Sequence, residues 1–395
     1  MTATGTSTGV GWDADPSLPV WTGFEPLTDS LVTADACVIG LGGSGLAAVD
    51  ELASRGLSVV GVDAGRVARG AAGRNGGILA CGGAMSFRDA CDRFGADIAL
   101  DLWRRTEAEL DWLSERLGPD VIRRDGVLRL AGLPGPSEDD AEAAERVREQ
   151  ADFVADYELM HEHGIVVERY DGELGTGLFL PTNGAMNPVA RAFGLATQLS
   201  GGASLHENTP VLSVSAGSVR TAFGVIRAGV VVVAVDGKLD VLLPQLRPRV
   251  RTLRLQMLAT SPLSSRRLPC PVSVRWGFDY AQQDQSGRLL VGGGRDRFVE
   301  EENTHDDRPT AGVQGRIEHI AARLAGGPVS VTHRWAASVG YTDDHRAVCA
   351  EVDDDVVACG AYSGDGNLVG PVAARAAVAL AVDGTEPPPY FISDL

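Results

Sequence analysis

The stretch that decides the fold runs from Asp35 to Gly45, DACVIGLGGSG, a short apolar run of strand type leading into Gly40, Gly42 and Gly45. A helix is expected next. Leu46, Val49, Leu52 and Ala53 recur at helical spacing, and Gly56 stands where a helix-terminating glycine belongs. Ser58 to Asp63, SVVGVD, reads as a second strand. Strand, glycine turn, helix and strand within about 30 residues make the βαβ unit that binds a dinucleotide. Gly40 permits the tight turn, Gly42 lets the backbone approach a pyrophosphate, and Gly45 lets the helix lie close on the strand. The helix start at Gly43 and Ser44 offers N–H groups and positive potential. Asp63, with Ala64 after it, is placed to accept hydrogen bonds from the adenosine ribose. A lone GxGxxG also occurs in glycine turns that hold no ligand. Here both strands, the helix pattern and the acid about 20 residues on all agree with a dinucleotide.

Composition narrows the class. The chain has 395 residues, 44% of them hydrophobic, enough for a large core in two domains or one large one. Its apolar runs, such as 228–235 and 372–382, fall short of the roughly 20 residues a spanning helix needs. The N-terminal stretch carries neither a basic cluster nor an apolar segment, so a cytoplasmic enzyme without membrane contact is expected. A formal charge of −18 argues against nucleic acid; it suits a cationic small molecule, although such a surface also serves solubility. Cys37, Cys81, Cys91, Cys270, Cys349 and Cys359 form no CxxC pair and have no His at ligand spacing, so no metal and no disulfide framework is expected.

Farther along, residues 97–117 read as an amphipathic helix and 138–149 as a charged, solvent-facing one. Asn187-Pro188 is a good helix start, followed by Val189, Phe193 and Leu199. Strands are expected over 210–214, 228–235, 252–259, 272–276 and 288–291, and the end of the chain, 356–382, reads as strand, glycine turn and helix. His161 and His163 read as helix surface.

The nucleotide motif does not choose between NAD and FAD. Gly73-Arg74-Asn75-Gly76-Gly77 lies just past the second strand, Glu207-Asn208-Thr209-Pro210-Val211 follows the central helix, and Cys359 to Asn367 reads CGAYSGDGN. With these elements in this order, the chain resembles the D-amino-acid-oxidase superfamily, closest in pattern to its γ-glutamylputrescine oxidoreductase and glycine/sarcosine oxidase-like branches. The resemblance extends from about Trp12 to Gly384. It implies bound FAD, with Arg74, Asn75, Gly76 and Gly77 beside the flavin, Val211 at the adenine, and Gly364, Asp365, Gly366 and Asn367 opening the last helix near the pyrimidine ring. A helix N-terminus there would stabilise the negative charge of reduced flavin. The implied fold is α/β (α+β), with a discontinuous Rossmann-type FAD-binding domain over 31–114, 177–240 and 335–390. A β-sheet-containing substrate domain is expected over 115–176 and 241–334, and an N-terminal extension over 1–30.

Three departures qualify the resemblance. Asp365 stands where the family usually has His. Val339 stands where relatives acting on free amino acids place the Arg that holds the substrate carboxylate, leaving Arg334 or Arg275 as substitutes. The single lysine, Lys238, lies in a turn and reads as a surface residue rather than as an oxygen-activating one. The implied reaction is oxidation of the C–N bond of an amine or amino-acid-like substrate: the neutral amine pushes as hydride leaves its α-carbon for flavin N5, giving an imine that water hydrolyses. Positioning is then the main task of the protein. Tyr280, Trp276 and Tyr362 are expected to contact substrate, with core packing as the competing reading. Asp365, Tyr280 and Tyr362 are the catalytic candidates, Asp365 as the group that orients the amine or takes its proton. The electron acceptor is O2 or another carrier, and the chain is expected to be a monomer or homodimer. The alternatives are a flavoenzyme that oxidises or cyclises a natural-product amine, or a flavin-binding scaffold subunit. Cys359 or Cys81 could carry covalent flavin; free thiols are the expectation.

Overall fold

A strand buried on both faces needs near-continuous apolar sequence, and four segments of this chain supply it around one parallel sheet. In the computed structural model, which describes residue 7, residues 9–199 and residues 201–395, β1 spans Leu31–Ile39, the first helix α1 spans Gly43–Ser54, and β2 spans Val59–Val62. β1 pairs in parallel with β2 on one side and with Val225–Val233 on the other. Ser204–His206 extends the parallel order beyond β2, and Val356–Gly360 extends it beyond Val225–Val233. Antiparallel Ala347–Asp353, the short Phe391–Ile392 and the hairpin Val211–Ser215/Ser218–Thr221 complete a nine-stranded sheet. α1 and the C-terminal helix Val369–Asp383 pack side by side on it, burying Leu46, Val49 and Leu52 with Val372, Ala373 and Ala377.

A second, eight-stranded mixed sheet runs in the order Val331–Tyr341, Arg251–Thr260, Leu289–Gly292, Asp279–Gln283, Val272–Val274, Val127–Leu130, Gly175–Leu180, Glu168–Gly172. One face carries the helix Ala311–Ala325, which buries Val313, Ile317 and Leu324 against Leu258 and Val291. Because strand side chains alternate with period two, the other face presents Val127 and Arg129, Leu255 and Met257, and Ala337, Val339 and Tyr341 to a cavity between the sheets.

The structure amends several expectations. The charged helix runs from Asp140 to Glu162 and is not wholly solvent-facing: Glu149, Phe153, Asp156 and Met160 are buried. Its apolar positions begin only past the charged half, and Glu149 is tolerated inside because it accepts hydrogen bonds from the Gly132 and Trp276 amides at 3.0 and 2.6 Å. The strand expected to reach Trp276 stops at Val274, since Arg275 and Trp276 turn to φ +53° and +52°. Of the N-terminal segment, residues 1–6 and 8 lie outside the described residues. The remainder is anchored to the body at a few side chains: Trp12 is 1% exposed, with its indole Nε1 donating to Asn75 O at 2.8 Å, and Trp21 stacks on Phe193 at 4.3 Å. No helix among the described residues is long and apolar enough to cross a membrane.

Candidate active site

The glycine turn after β1 is built by close backbone approach. Gly40 sits at φ +95°, and a Cβ on Gly45 would lie 1.7 Å from Gly40 O, so only glycine lets α1 start this near the strand. The Asp63 carboxylate braces the turn, accepting from Leu41 N at 2.8 Å and Gly65 N at 2.9 Å. Burial holds its pKa above the ordinary carboxylate value, those two amides opposing only in part. Gly40, Gly42, Gly43, Ser44, Asp63 and Ala64 all line a cavity of about 1150 Å³, as does Val211. Gly45 does not; its part is the helix–strand contact.

The same cavity reaches the other two expected motifs. Arg74, Asn75 and Gly76 line it, together with Gly364, Asp365, Gly366 and Asn367. The tertiary fold ties the two loops together: Asn367 Nδ2 donates to Asn75 Oδ1 at 3.1 Å and to Ile78 O at 2.8 Å. Asn75 holds its own loop by donating to Ala71 O and Ala72 O and accepting from Gly77 N. Gly77 lies behind the lining, where a Cβ would meet Met186 O at 2.3 Å. The Arg74 side chain is turned toward the eight-stranded sheet, donating to Asp307 Oδ2 at 2.7 Å and Ala336 O at 2.8 Å.

The aromatic candidates divide. Tyr280 is seated in a notch formed by two glycines, since a Cβ on Gly76 or Gly292 would fall 2.8 or 2.4 Å from its ring. Trp276 stands at the rim, 46% exposed, its indole donating to Asp152 Oδ2 at 3.0 Å. Tyr362 is buried between the starts of two helices: a Cβ on Gly366 would lie 2.9 Å from its ring, and one on Gly370 would lie 3.4 Å from the ring and 2.7 Å from Ser44 Oγ. Burial lifts the Asp365 carboxyl to about 6, against a smaller downward pull from Arg129. Cys81 and Cys359, both free thiols, are absent from the lining, and burial pushes each to about 12. Lys238 lines one end of the cavity; it is exposed, with Nζ donating to His305 O at 3.4 Å.

Arg191 escaped the sequence reading. It projects from the helix Pro188–Leu199 and is 3% exposed; its Nη1 would lie 3.0 Å from a Cβ on Gly43. Nε and Nη2 have no hydrogen-bond partner, and burial lowers the guanidinium to about 10, Glu109 opposing. A buried cation with open donors beside a helix N-terminus fits a diphosphate, and the donor set along the rest of the cavity fits FAD. The signal was in the sequence: Arg191 is the one charge in PVARAFGLATQL.

The chain is similar to known proteins over most of its length. The family model of FAD-dependent oxidoreductases, DAO, matches residues 35–380. The chain is 28% identical over 367 residues to a probable oxidoreductase, OrdL, of Rhizobium meliloti (strain 1021), covering 90% of this chain and 83% of the relative. It is 28% identical over 365 residues to γ-glutamylputrescine oxidoreductase of Escherichia coli (strain K12), covering 87% and 82%. Among solved structures, glycine oxidase from Geobacillus kaustophilus superposes with a TM-score of 0.71 at 21% identity, covering 90% of this chain and 96% of that one. With the family model matched over residues 35–380, which include the first glycine turn and both later glycine-rich loops, the chain belongs to the DAO family of FAD-dependent oxidoreductases.

Proposed function

We propose that this FAD-dependent enzyme oxidises the C–N bond of an amine or amino-acid-like substrate to an imine. The observation that carries the reading is the single cavity that joins the glycine cradle to a chamber walled by Tyr280, Tyr341, Arg129 and Asp365. The bound flavin would supply the hydride acceptor. The protein's own part is to orient the amine, exclude water and manage one proton. Gly40, Gly42, Gly43, Ser44, Asp63, Ala64 and Val211 would hold the adenosine and diphosphate, helped by Gly45 behind the turn. Asn75, Gly76, Gly364, Gly366 and Asn367 would meet the ring through backbone and amide groups, with Gly77 and Arg74 shaping the loop. The nine-stranded sheet would carry the FAD-binding unit, and the eight-stranded sheet the substrate side. The relatives' names support the substrate class: one printed name is γ-glutamylputrescine oxidoreductase, and structural neighbours include glycine oxidase and L-amino acid deaminase.

The purified protein should show a flavin absorption spectrum that bleaches anaerobically with amines or amino acids, and oxygen uptake then separates an oxidase from a dehydrogenase. Bound flavin that none of them reduces would overturn the reading.

Asp365 would take the amine proton. Its carboxyl is neutral below about 6 and ionised above, so the rate of flavin reduction should rise with pH through about 6. In Asp365→Asn that step should vanish and the rate at pH 8 fall about 100-fold. A step that persists in the variant would exclude Asp365 as its source.

A further inference from the structure

Three consecutive carbonyls of the loop 73–77 are held from behind by side chains. Trp335 Nε1 donates to Arg74 O at 2.8 Å, Trp12 Nε1 to Asn75 O at 2.8 Å, and Gln282 Nε2 to Gly76 O at 2.6 Å. The donors come from separate parts of the chain: the strand Val331–Tyr341, the N-terminal segment and the strand Asp279–Gln283. None of the three lines the cavity, whereas Arg74, Asn75 and Gly76 all do. In a trans peptide the N–H points opposite to the carbonyl, and the described residues include no cis peptide. The N–H groups of Asn75 and Gly76 are therefore turned away from the two indoles, to the cavity side of the loop. Gly77 N–H is taken by Asn75 Oδ1 at 2.8 Å, but Asn75 N and Gly76 N have no acceptor among the described residues. Gly76 is buried. A buried N–H is rarely left unpaired, so two in succession beside a cavity call for an acceptor on a ligand.

Trp12 reaches the loop because its neighbour has no side chain. A Cβ on Gly11 would lie 2.8 Å from Ala259 Cβ and 2.8 Å from the Trp335 ring. Gly11 O accepts from Arg288 Nη1 at 3.0 Å, and Asp13 pairs with Arg66 at 2.9 Å. The segment is clamped on both sides of Trp12, and the indole stands behind Asn75 as a fixed donor. Without that donor the Asn75–Gly76 peptide is free to turn over, because glycine accepts either orientation.

Resting on the reading that places this loop at the flavin ring, we infer that Trp12, Trp335 and Gln282 are positioning residues that hold its N–H groups toward the ring and so raise the flavin's affinity for electrons. Reduction adds two electrons and one proton to the ring and leaves one negative charge on it. Fixed N–H dipoles aimed where negative charge develops stabilise it without reorganisation, and a carbonyl turned to the same place opposes it. The N-terminal segment thereby belongs to the redox site, through a residue that lies outside the cavity lining.

The test uses the FAD-loaded protein and needs no substrate. The flavin midpoint potential is measured at saturating FAD by anaerobic titration with dithionite beside a dye of known potential. Trp12→Phe keeps an aromatic ring and deletes the N–H donor; it should shift the two-electron equilibrium about 10-fold toward oxidised flavin, or about 30 mV. Trp21→Phe is the control. It deletes another indole donor of the same segment, to Glu207 Oε1 at 2.9 Å, and should leave the potential unchanged. A purely structural role would lower the melting temperature in both variants and move the potential in neither. An unchanged potential in Trp12→Phe, or an equal shift in Trp21→Phe, overturns the inference. Asn75→Ala, which removes the loop's own brace, tests the underlying placement: an unaltered flavin absorption spectrum there overturns it and the inference together. An altered spectrum in Asn75→Ala with an unmoved potential in Trp12→Phe keeps the loop at the ring and overturns the role of the indole alone. A shift confined to Trp12→Phe supports the inference even where no amine reduces the flavin, an outcome that overturns amine oxidation only. Should Trp12→Phe fail to fold, Gln282→Met decides by the same titration: a lowered potential supports the inference, and an unchanged one overturns it.

Discussion

Gly45→Ala is expected to leave the protein unable to retain FAD and to destabilise the apo form by about 3 kcal/mol. The new methyl would lie 1.7 Å from Gly40 O and 2.8 Å from Gly40 C, both backbone atoms that no rotamer change can move. Either α1 lifts off β1 or the Gly40–Ser44 turn is rebuilt, and each withdraws the first-turn N–H groups from the cavity. FAD titration should show affinity reduced by at least about 100-fold, the scale of losing several charge-assisted contacts at once. Gly56→Ala is the control. It also alters a glycine at positive φ, +80°, but nothing lies within 4 Å of the added methyl. It should cost about 1 kcal/mol of stability and nothing in FAD affinity. A yellow Gly45→Ala protein with wild-type affinity would refute the role of the turn.

Arg191→Leu is expected to act with opposite signs on the two forms. With FAD absent, removing a buried guanidinium whose Nε and Nη2 lack partners should leave the unfolding midpoint unchanged or raise it. With FAD present, affinity should fall about 100-fold or more, because the diphosphate loses a fully desolvated cation. The stabilisation that FAD confers should shrink accordingly; at a fixed concentration near 100 times the original Kd, a 100-fold loss removes most of about 2.7 kcal/mol. Paired thermal melts, with and without FAD, measure both signs. If the apo protein is destabilised and FAD affinity is unchanged, Arg191 is instead a structural partner of Glu109, whose charge it feels.

The local pattern carried much of the fold. The βαβ unit was readable because each of its cues concerns residues within one turn or one strand: the spacing of Gly40, Gly42 and Gly45, the helical recurrence of Leu46, Val49 and Leu52, and the Asp63 that ends the second strand. The helix start at Asn187 was legible for the same reason, and Asn187 Oδ1 does accept from Val189 N at 3.0 Å. Readings failed where a distant partner decided the outcome. Glu149 reads as surface until the Trp276 amide, 127 residues away in sequence, is brought to it. The strand at Val272 loses its last two residues to a backbone turn that pairs Arg275 with Asp279 and Asp296.

By itself, then, the sequence determined that a glycine turn opening a helix forms at residues 40–45, since turn, helix start and acid are all local consequences of which side chains are missing or present. It also showed two further glycine-rich loops, at 73–77 and 364–367. Only the tertiary structure decided that these loops touch, through Asn367 and Asn75, across 292 residues of chain. Only it decided which arginines are free: Arg275 and Arg334 are neutralised by acids from other elements, while Arg191 faces the cavity. The physical reason is that an arginine's role depends on its counter-charge. Every arginine of a chain has the same fork of donors, and the fold alone determines whether a carboxylate of the protein or a ligand meets it.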